Sequence, residues 1–364
     1  MVNAAGFLFY LYFCPVERRI RELDALRVIA MFFVITYHFG MLYAERGIPH
    51  FNFLCLTPNY EFGNVAVTIF FILSGGLLYK KYETLQSLSI SDFYLKRAKS
   101  IYPAFWLLSL YIPVSIVLRW LSGRDPFVYG HPAKLLLTLV GMDGYAQSFG
   151  VSTYFFGGEW FVGAIVILYL LYPFLAKCYK AKPVLLMTLL IMGYGAQFLA
   201  LMEARLEWLN VLPLTVALKF TLGFFIFEHL EFLKRKIVVL PSFVLFILLT
   251  AIDVPGILKT DFLGFLAALF FFVLAYWSSP WLFRFNLADS TVNKLAVLSY
   301  CVFLVQHVAI SWSQMVYARI FSKMQWEFSQ WNVLALFLVT FIVIILAAKC
   351  LKWMSDKLVH LILG

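Results

Sequence analysis

Leu23 to Gly40 reads LDALRVIAMFFVITYHFG, an apolar run that nonetheless holds an arginine, Arg27, and a histidine, His38. Its length is close to the roughly 20 residues with which an α-helix crosses the hydrocarbon core of a bilayer. Reading it as a membrane span or as a buried helix of a soluble domain therefore decides the fold. Composition decides between them: the 364 residues are 63% hydrophobic and only 13% charged, whereas soluble domains keep about a quarter of their residues charged. The bilayer is the solvent, and an all-α polytopic membrane protein is expected.

Comparable runs recur at roughly 25–43, 62–79, 101–119, 159–176, 183–201, 209–230, 237–252, 262–279, 295–316 and 332–350. That predicts about ten transmembrane helices. An eleventh stretch, 133–149 (AKLLLTLVGMDGYAQSF), is broken by Gly141, Asp143 and Gly144 and reads as re-entrant or interfacial. Charge supports this choice. With ten spans and the N-terminus inside, 20 of the 29 lysines and arginines fall in inner loops and tails, as the positive-inside rule requires. An eleventh span would invert the basic loop 177–182 and everything after it. Both termini are thus expected to be cytoplasmic, and the chain is read as multi-pass in the lipid bilayer.

The net charge of +10 is mostly this topological signal, so nucleic-acid binding is not expected. Five cysteines, Cys14, Cys55, Cys178, Cys301 and Cys350, are scattered without a C-x-x-C, and no metal site is predicted. Residues 1–24 read as a short cytoplasmic or interfacial segment. Its AAGFLFYLYFC is apolar for only 11 residues and lacks the basic n-region of a signal peptide. Residues 25–352 form one transmembrane domain, 353–364 a cytoplasmic tail, and no appended soluble domain is expected.

Arg27 and His38 lie eleven residues apart, close to three helical turns, so both side chains share one face about 16 Å apart along the axis. Asp24 precedes Arg27 by one turn on the same side. Arg27 reads equally as a snorkelling cation paired with Asp24. His38 lies deeper. An ionisable group within a span is costly and marks a site by default, and imidazole can take a proton from a hydroxyl at neutral pH.

Other polar groups fall at the same two depths. Towards the outside are Glu159 in GGEWFVGAIVILYLLYP, with Trp160 beside it, and His307 in LSYCVFLVQHVAI, with Gln306 beside it. Towards the inside, the loop KKYETLQSLSISDFYLKRAKSIYP carries Lys80, Lys81, Lys96, Arg97 and Lys99. This collar suits a phosphate-bearing cytosolic ligand, and equally suits ordinary positive-inside charge. Trp160 reads as a sugar-stacking or interfacial residue, and Gly75 and Gly76 as helix-packing residues. Lys219, in TVALKFTLGFF, lies mid-helix and fits no motif; it is a functional candidate or half of a buried pair.

Five stretches together resemble the membrane acyltransferase-3 family, whose members modify carbohydrates. LDALRVIAMFFVITYH resembles its opening Arg-x10-His signature, FFILSGGLLY its FFxLSG element, and YLKRAKSIYPAFW its R-x-x-R-I-Y-P loop. EWFVGAIVILYLLYPFL resembles its W-F-L helix and LSYCVFLVQH its late S-Y-x-x-Y-L-x-H element. The resemblance implies transfer of an acyl group, usually acetyl, from cytosolic acyl-CoA as co-substrate to a hydroxyl of a cell-surface or exported carbohydrate, at a bacterial plasma membrane. It implies His38 as the base, Arg27, Lys96, Arg97 and Lys99 as the acyl-CoA contacts, and Glu159, Trp160 and His307 as the outer, acceptor-side residues. The second arginine of the basic loop is Ser100 here, and Ala25 and Val28 stand where glycines are frequent. Lys99 beside Ser100 supplies charge but not a bidentate fork. A multi-pass transporter or exporter of a lipid-linked or oligosaccharide substrate remains a second reading, and a haem carrier ligated by His38 and His307 a third.

Overall fold

A computed structural model of the chain describes residues 19–45, 57, 59–83, 89–154, 160–204, 211–253, 261–284 and 286–363. Most of the expected N-terminal segment 1–24, and Glu159, lie outside the described residues. The described chain is helical throughout. Its helices are α1 (Arg21–Glu45), α2 (Phe62–Glu83), α3 (Ile90–Ser109), α4 (Tyr111–Leu121), α5 (Leu135–Val140), α6 (Asp143–Gln147), α7 (Trp160–Ala181), α8 (Pro183–Ala204), α9 (Pro213–Glu228), α10 (Leu230–Leu233), α11 (Lys236–Ala251), α12 (Asp261–Leu282), α13 (Asn286–Met324) and α14 (Gln330–Leu363).

Among the described residues, eight stretches are long and apolar enough to cross a membrane: α1, α2, α3 with α4, α7, α8, α12, α13 and α14. The other two of the ten expected runs form α9 and α11, each of 16 residues. At 1.5 Å per residue they reach about 24 Å, short of a hydrocarbon core of about 30 Å. Burial explains how α9 tolerates this length: from Thr215 to Phe227 it is enclosed almost all round by protein, so lipid does not set its span. The broken stretch 133–149 forms the two short helices α5 and α6, separated by Gly141 at φ 74°, and crosses nothing.

One further expectation is corrected. The basic stretch after α2 is not a loop where it carries Lys96, Arg97 and Lys99, because Ser89 accepts a hydrogen bond from the backbone N–H of Asp92 at 3.3 Å and starts α3 before them. Lys80 and Lys81 likewise end α2 as helical residues. The helix breaks instead at Leu110, where Pro113 lacks an N–H and its ring collides with the carbonyl of Ser109. Residues 353–363 continue α14 as helix.

α2 is the axis of the bundle and packs against α1, α9 and α12, while α13 packs against α1 and α14. Between α2 and α9 the backbones nearly touch. A Cβ on Gly75 would overlap the carbonyl oxygen of Phe220, a Cβ on Gly223 that of Ile72, and one on Gly76 the ring of Phe227. Small residues permit the close van der Waals contact that holds helices together in lipid. Polar ties close this seam at one end and bind the start of α2 to α11 at the other. Glu228 accepts hydrogen bonds from the hydroxyls of Tyr79 at 2.9 Å and Tyr179 at 2.8 Å, joining α9, α2 and α7. Asn59, ahead of α2, donates to the terminal carbonyls Leu249 (2.6 Å) and Ile252 (2.5 Å) at the end of α11.

Ahead of α7, outside the spans, α6 holds the buried carboxyl of Asp143, to which the Thr138 hydroxyl donates at 3.0 Å. Tyr145 of the same helix packs where Gly163 of α7 leaves no room for a side chain. Burial pushes the Asp143 carboxyl up from 3.8 to about 6.

Two outcomes follow from this packing. Gly75→Val or Gly223→Val forces a side chain into a carbonyl, which costs at least the roughly 1–3 kcal/mol of overpacking, and should lower the thermal midpoint in detergent by several degrees. The stabilising contribution of neutral Asp143 is complete below its ordinary range near 4 and is lost as pH rises through about 6. Thermal melts from pH 4 to 7 should therefore decline with pH in the wild type, and that part of the decline should vanish in Asp143→Asn.

Candidate active site

The stripe predicted on α1 opens onto two cavities stacked along the bundle. The first, of about 350 Å³, is lined by Arg27 of α1, Lys81 of α2 and Arg97 of α3, with Ser74, Tyr169 and Tyr300 among its polar walls. Among the described residues no carboxylate lines it. Arg27 is held from outside the cavity: its Nη1 lies 3.1 Å from Asp24, which also binds Arg19. The Arg97 guanidinium lies 5.6 Å from the centre of the Tyr169 ring and 6.0 Å from that of Phe93, a cation–π cradle that orients it without neutralising it. Its Nε is buried and finds no hydrogen-bond partner among the described residues.

Lys96 and Lys99 do not reach this cavity. On α3 the lining positions are Arg97, Ser100 and Ile101, at i, i+3 and i+4; at about 100° per residue, Lys96 is turned roughly 90° and Lys99 roughly 150° from the centre of that face. Ser100, where the family pattern has a second arginine, lines the cavity as a hydroxyl that donates to the Arg97 carbonyl at 2.8 Å. Lys81, on the stripe of α2, supplies the third cation instead.

The second cavity, of about 300 Å³, is lined by His38, His307 and Trp160 together with Tyr37, Glu45 and Asn64. The imidazoles of His38 and His307 are in direct contact, with ring centroids 4.0 Å apart and planes at 45°. Gln306, wholly buried, lies close enough to His38 to act on its imidazole, although neither His38 Nδ1 nor the Gln306 amide atoms meet a partner in strict hydrogen-bond geometry among the described residues. Tyr37 donates to Glu61 at 2.7 Å, which fixes the ring beside His38. Contact at 4.0 Å leaves no room for a haem between the two rings, since metal–imidazole bonds of about 2 Å on opposite faces of a macrocycle would hold the centroids farther apart. Among the described residues no group of three His, Cys, Asp or Glu side chains could hold a metal ion.

The structure thus brings Arg27 and Arg97 together at one cavity, and His38, His307 and Trp160 at the other. Glu45 escaped sequence reading although it stands seven residues, two turns, beyond His38 on the same face of α1. Lys219 lines neither cavity. It is 1% exposed, with its ammonium 5.7 Å from the Phe265 ring centre and under the charge of Asp261 at the start of α12.

A multi-pass helical membrane protein with a cationic cavity and a histidine cavity in line is the class these features define. The chain belongs to the acyltransferase 3 family: the family's model, described as an acyltransferase domain, matches residues 20–349. Among curated proteins, the peptidoglycan O-acetyltransferase OatA of Listeria monocytogenes is similar to it, at 28% identity over 144 residues that cover 38% of this chain and 18% of that protein. No solved structure matches.

Proposed function

We propose that the protein moves an acyl group, acetyl in the simplest case, from acyl-CoA on the cytosolic side of the plasma membrane to a hydroxyl of a cell-surface or exported carbohydrate. The observation that carries this reading is the pair of stacked cavities, cations at one and the paired histidines at the other, in a chain of an acyltransferase family. The name of the relative makes peptidoglycan the first acceptor to test. Acceptor access from outside is supported by the positive-inside count, which puts the cationic end of α1 in the cytosol. Membership in an acyltransferase family weighs against the transporter reading.

In this reading the phosphates of CoA rest on Arg27, Lys81 and Arg97, where guanidinium forks and an ammonium suit a polyanion. The pantetheine arm runs along the face shared by Arg27 and His38, and the thioester arrives beside the histidines. His38 takes the proton of the acceptor hydroxyl, and the oxygen attacks the thioester carbonyl. As the new C–O bond forms and the C–S bond breaks, CoA leaves as thiolate and recovers the proton from the imidazolium. Trp160, Asn64 and Glu45 offer a stacking plane and hydrogen-bonding groups for the sugar.

His38→Ala removes the base and should lower transfer by about 10²–10⁴-fold. The measurement is mass spectrometry of surface glycans from cells holding wild type or variant at matched membrane levels, with peptidoglycan first; a one-acyl mass increment that persists in His38→Ala would sink the assignment. Arg97→Ala should instead raise the KM for acyl-CoA about tenfold or more, the loss expected for charged hydrogen bonds, in assays on membrane vesicles.

A further inference from the structure

Phe303 lines both cavities. The helices around it serve the two cavities in the same order, so that these are successive lengths of one passage. On α13, Ser299 faces the cationic cavity, Phe303 both and His307 the histidine cavity, at intervals of four residues along one stripe. On α2, Asn64 and Val67 face the histidines, while Phe70 and Ser74, the next turns of the same stripe, face the cations. On α7, Trp160 belongs to the histidine cavity and its neighbour Phe161 to the cationic one.

Where the two lengths meet, the passage is closed by a layer of rings. The Phe303 centroid lies 5.0 Å from that of Phe161, which lies 6.0 Å from Phe70 and is backed at 4.8 Å by Phe71. Phe303 is buried. We propose that Phe303, closed on Phe161 and Phe70, is the specificity-determining residue that sets which acyl chains pass from the cationic cavity to the histidines, an inference that rests on the acyl-transfer reading above. The layer is about one ring deep, so a two-carbon acyl group needs only a small rotation of Phe303. A longer chain must also displace Phe161, which Phe71 and Phe70 hold in place. A carboxylate-bearing acyl group meets rings with no donor to replace its water, and is rejected for that reason.

Two measurements on the full chain test this. In membrane vesicles supplied with acetyl-, butyryl- or hexanoyl-CoA, Phe303→Ala and the milder Phe303→Leu should raise the butyryl-to-acetyl transfer ratio at least tenfold and severalfold, respectively. Phe303→Trp should lower butyryl and hexanoyl transfer severalfold more than it lowers acetyl transfer. Ratios that do not move, in variants whose acetyl transfer still depends on His38, overturn the role of Phe303 and leave the acyltransferase reading intact. No transfer by wild type from any of the three donors removes both. The second measurement needs no activity: with Ser299→Cys in a chain whose native cysteines are serine, a membrane-impermeant maleimide supplied at the histidine-cavity side should label the cysteine at least tenfold faster in Phe303→Ala than with Phe303 present. Equal labelling rates overturn the closure.

Discussion

The eleven residues between Arg27 and His38 set a distance and a direction at once. A helix returns to nearly the same azimuth after three turns, so the guanidinium and the imidazole are compelled onto one face about 16 Å apart. Burial then makes both expensive. In lipid neither group could face outward, and the bundle must supply a partner or a cavity at each depth. At the first depth Asp24 and the cationic cavity do so; at the second, His307 and the histidine cavity. The neighbouring helices inherit the same two levels, and for this reason α2, α7 and α13 each present residues to both.

Holding four helices around two cavities requires a firm seam elsewhere, and α2 with α9 provides it. Glycines at 75, 76 and 223 bring the backbones together, while the Glu228 carboxylate ties three helices with two tyrosine hydroxyls. A helix this enclosed has no need of full span length, so 16 residues suffice for α9. Rigidity on that side lets the opposite side, around Phe303, carry cavities without collapse.

Much of this was legible in the chain because apolar length and charge bias act locally. The runs, the non-spanning stretch around Gly141, the packing role of Gly75 and Gly76 and the shared face of Arg27 and His38 all follow from one helix at a time. The number of long apolar helices did not, because the shortness of α9 reflects its burial, which is tertiary. The basic stretch after α2 was read as loop although Ser89 and Asp92 carry a capping signal three residues apart. Lys96 and Lys99 looked equivalent to Arg97 in charge, and only the azimuth of α3 separates them. Phe303 gave no signal at all: one phenylalanine among 39, it gains meaning only from lying where two cavities meet.

The aromatic layer also has an electrical consequence. A bilayer spreads the transmembrane voltage over about 30 Å of hydrocarbon, but hydrated vestibules reaching in from both sides would concentrate it across the rings between them. Carrying one elementary charge through the full drop takes about 2.3 kcal/mol per 100 mV. In the acyl-transfer reading proposed above, a neutral acetyl group would cross that layer without electrical work, while phosphates held at Arg27, Lys81 and Arg97 would stay outside the field. A transfer arranged this way would run at the same rate in an energised cell and in a depolarised one.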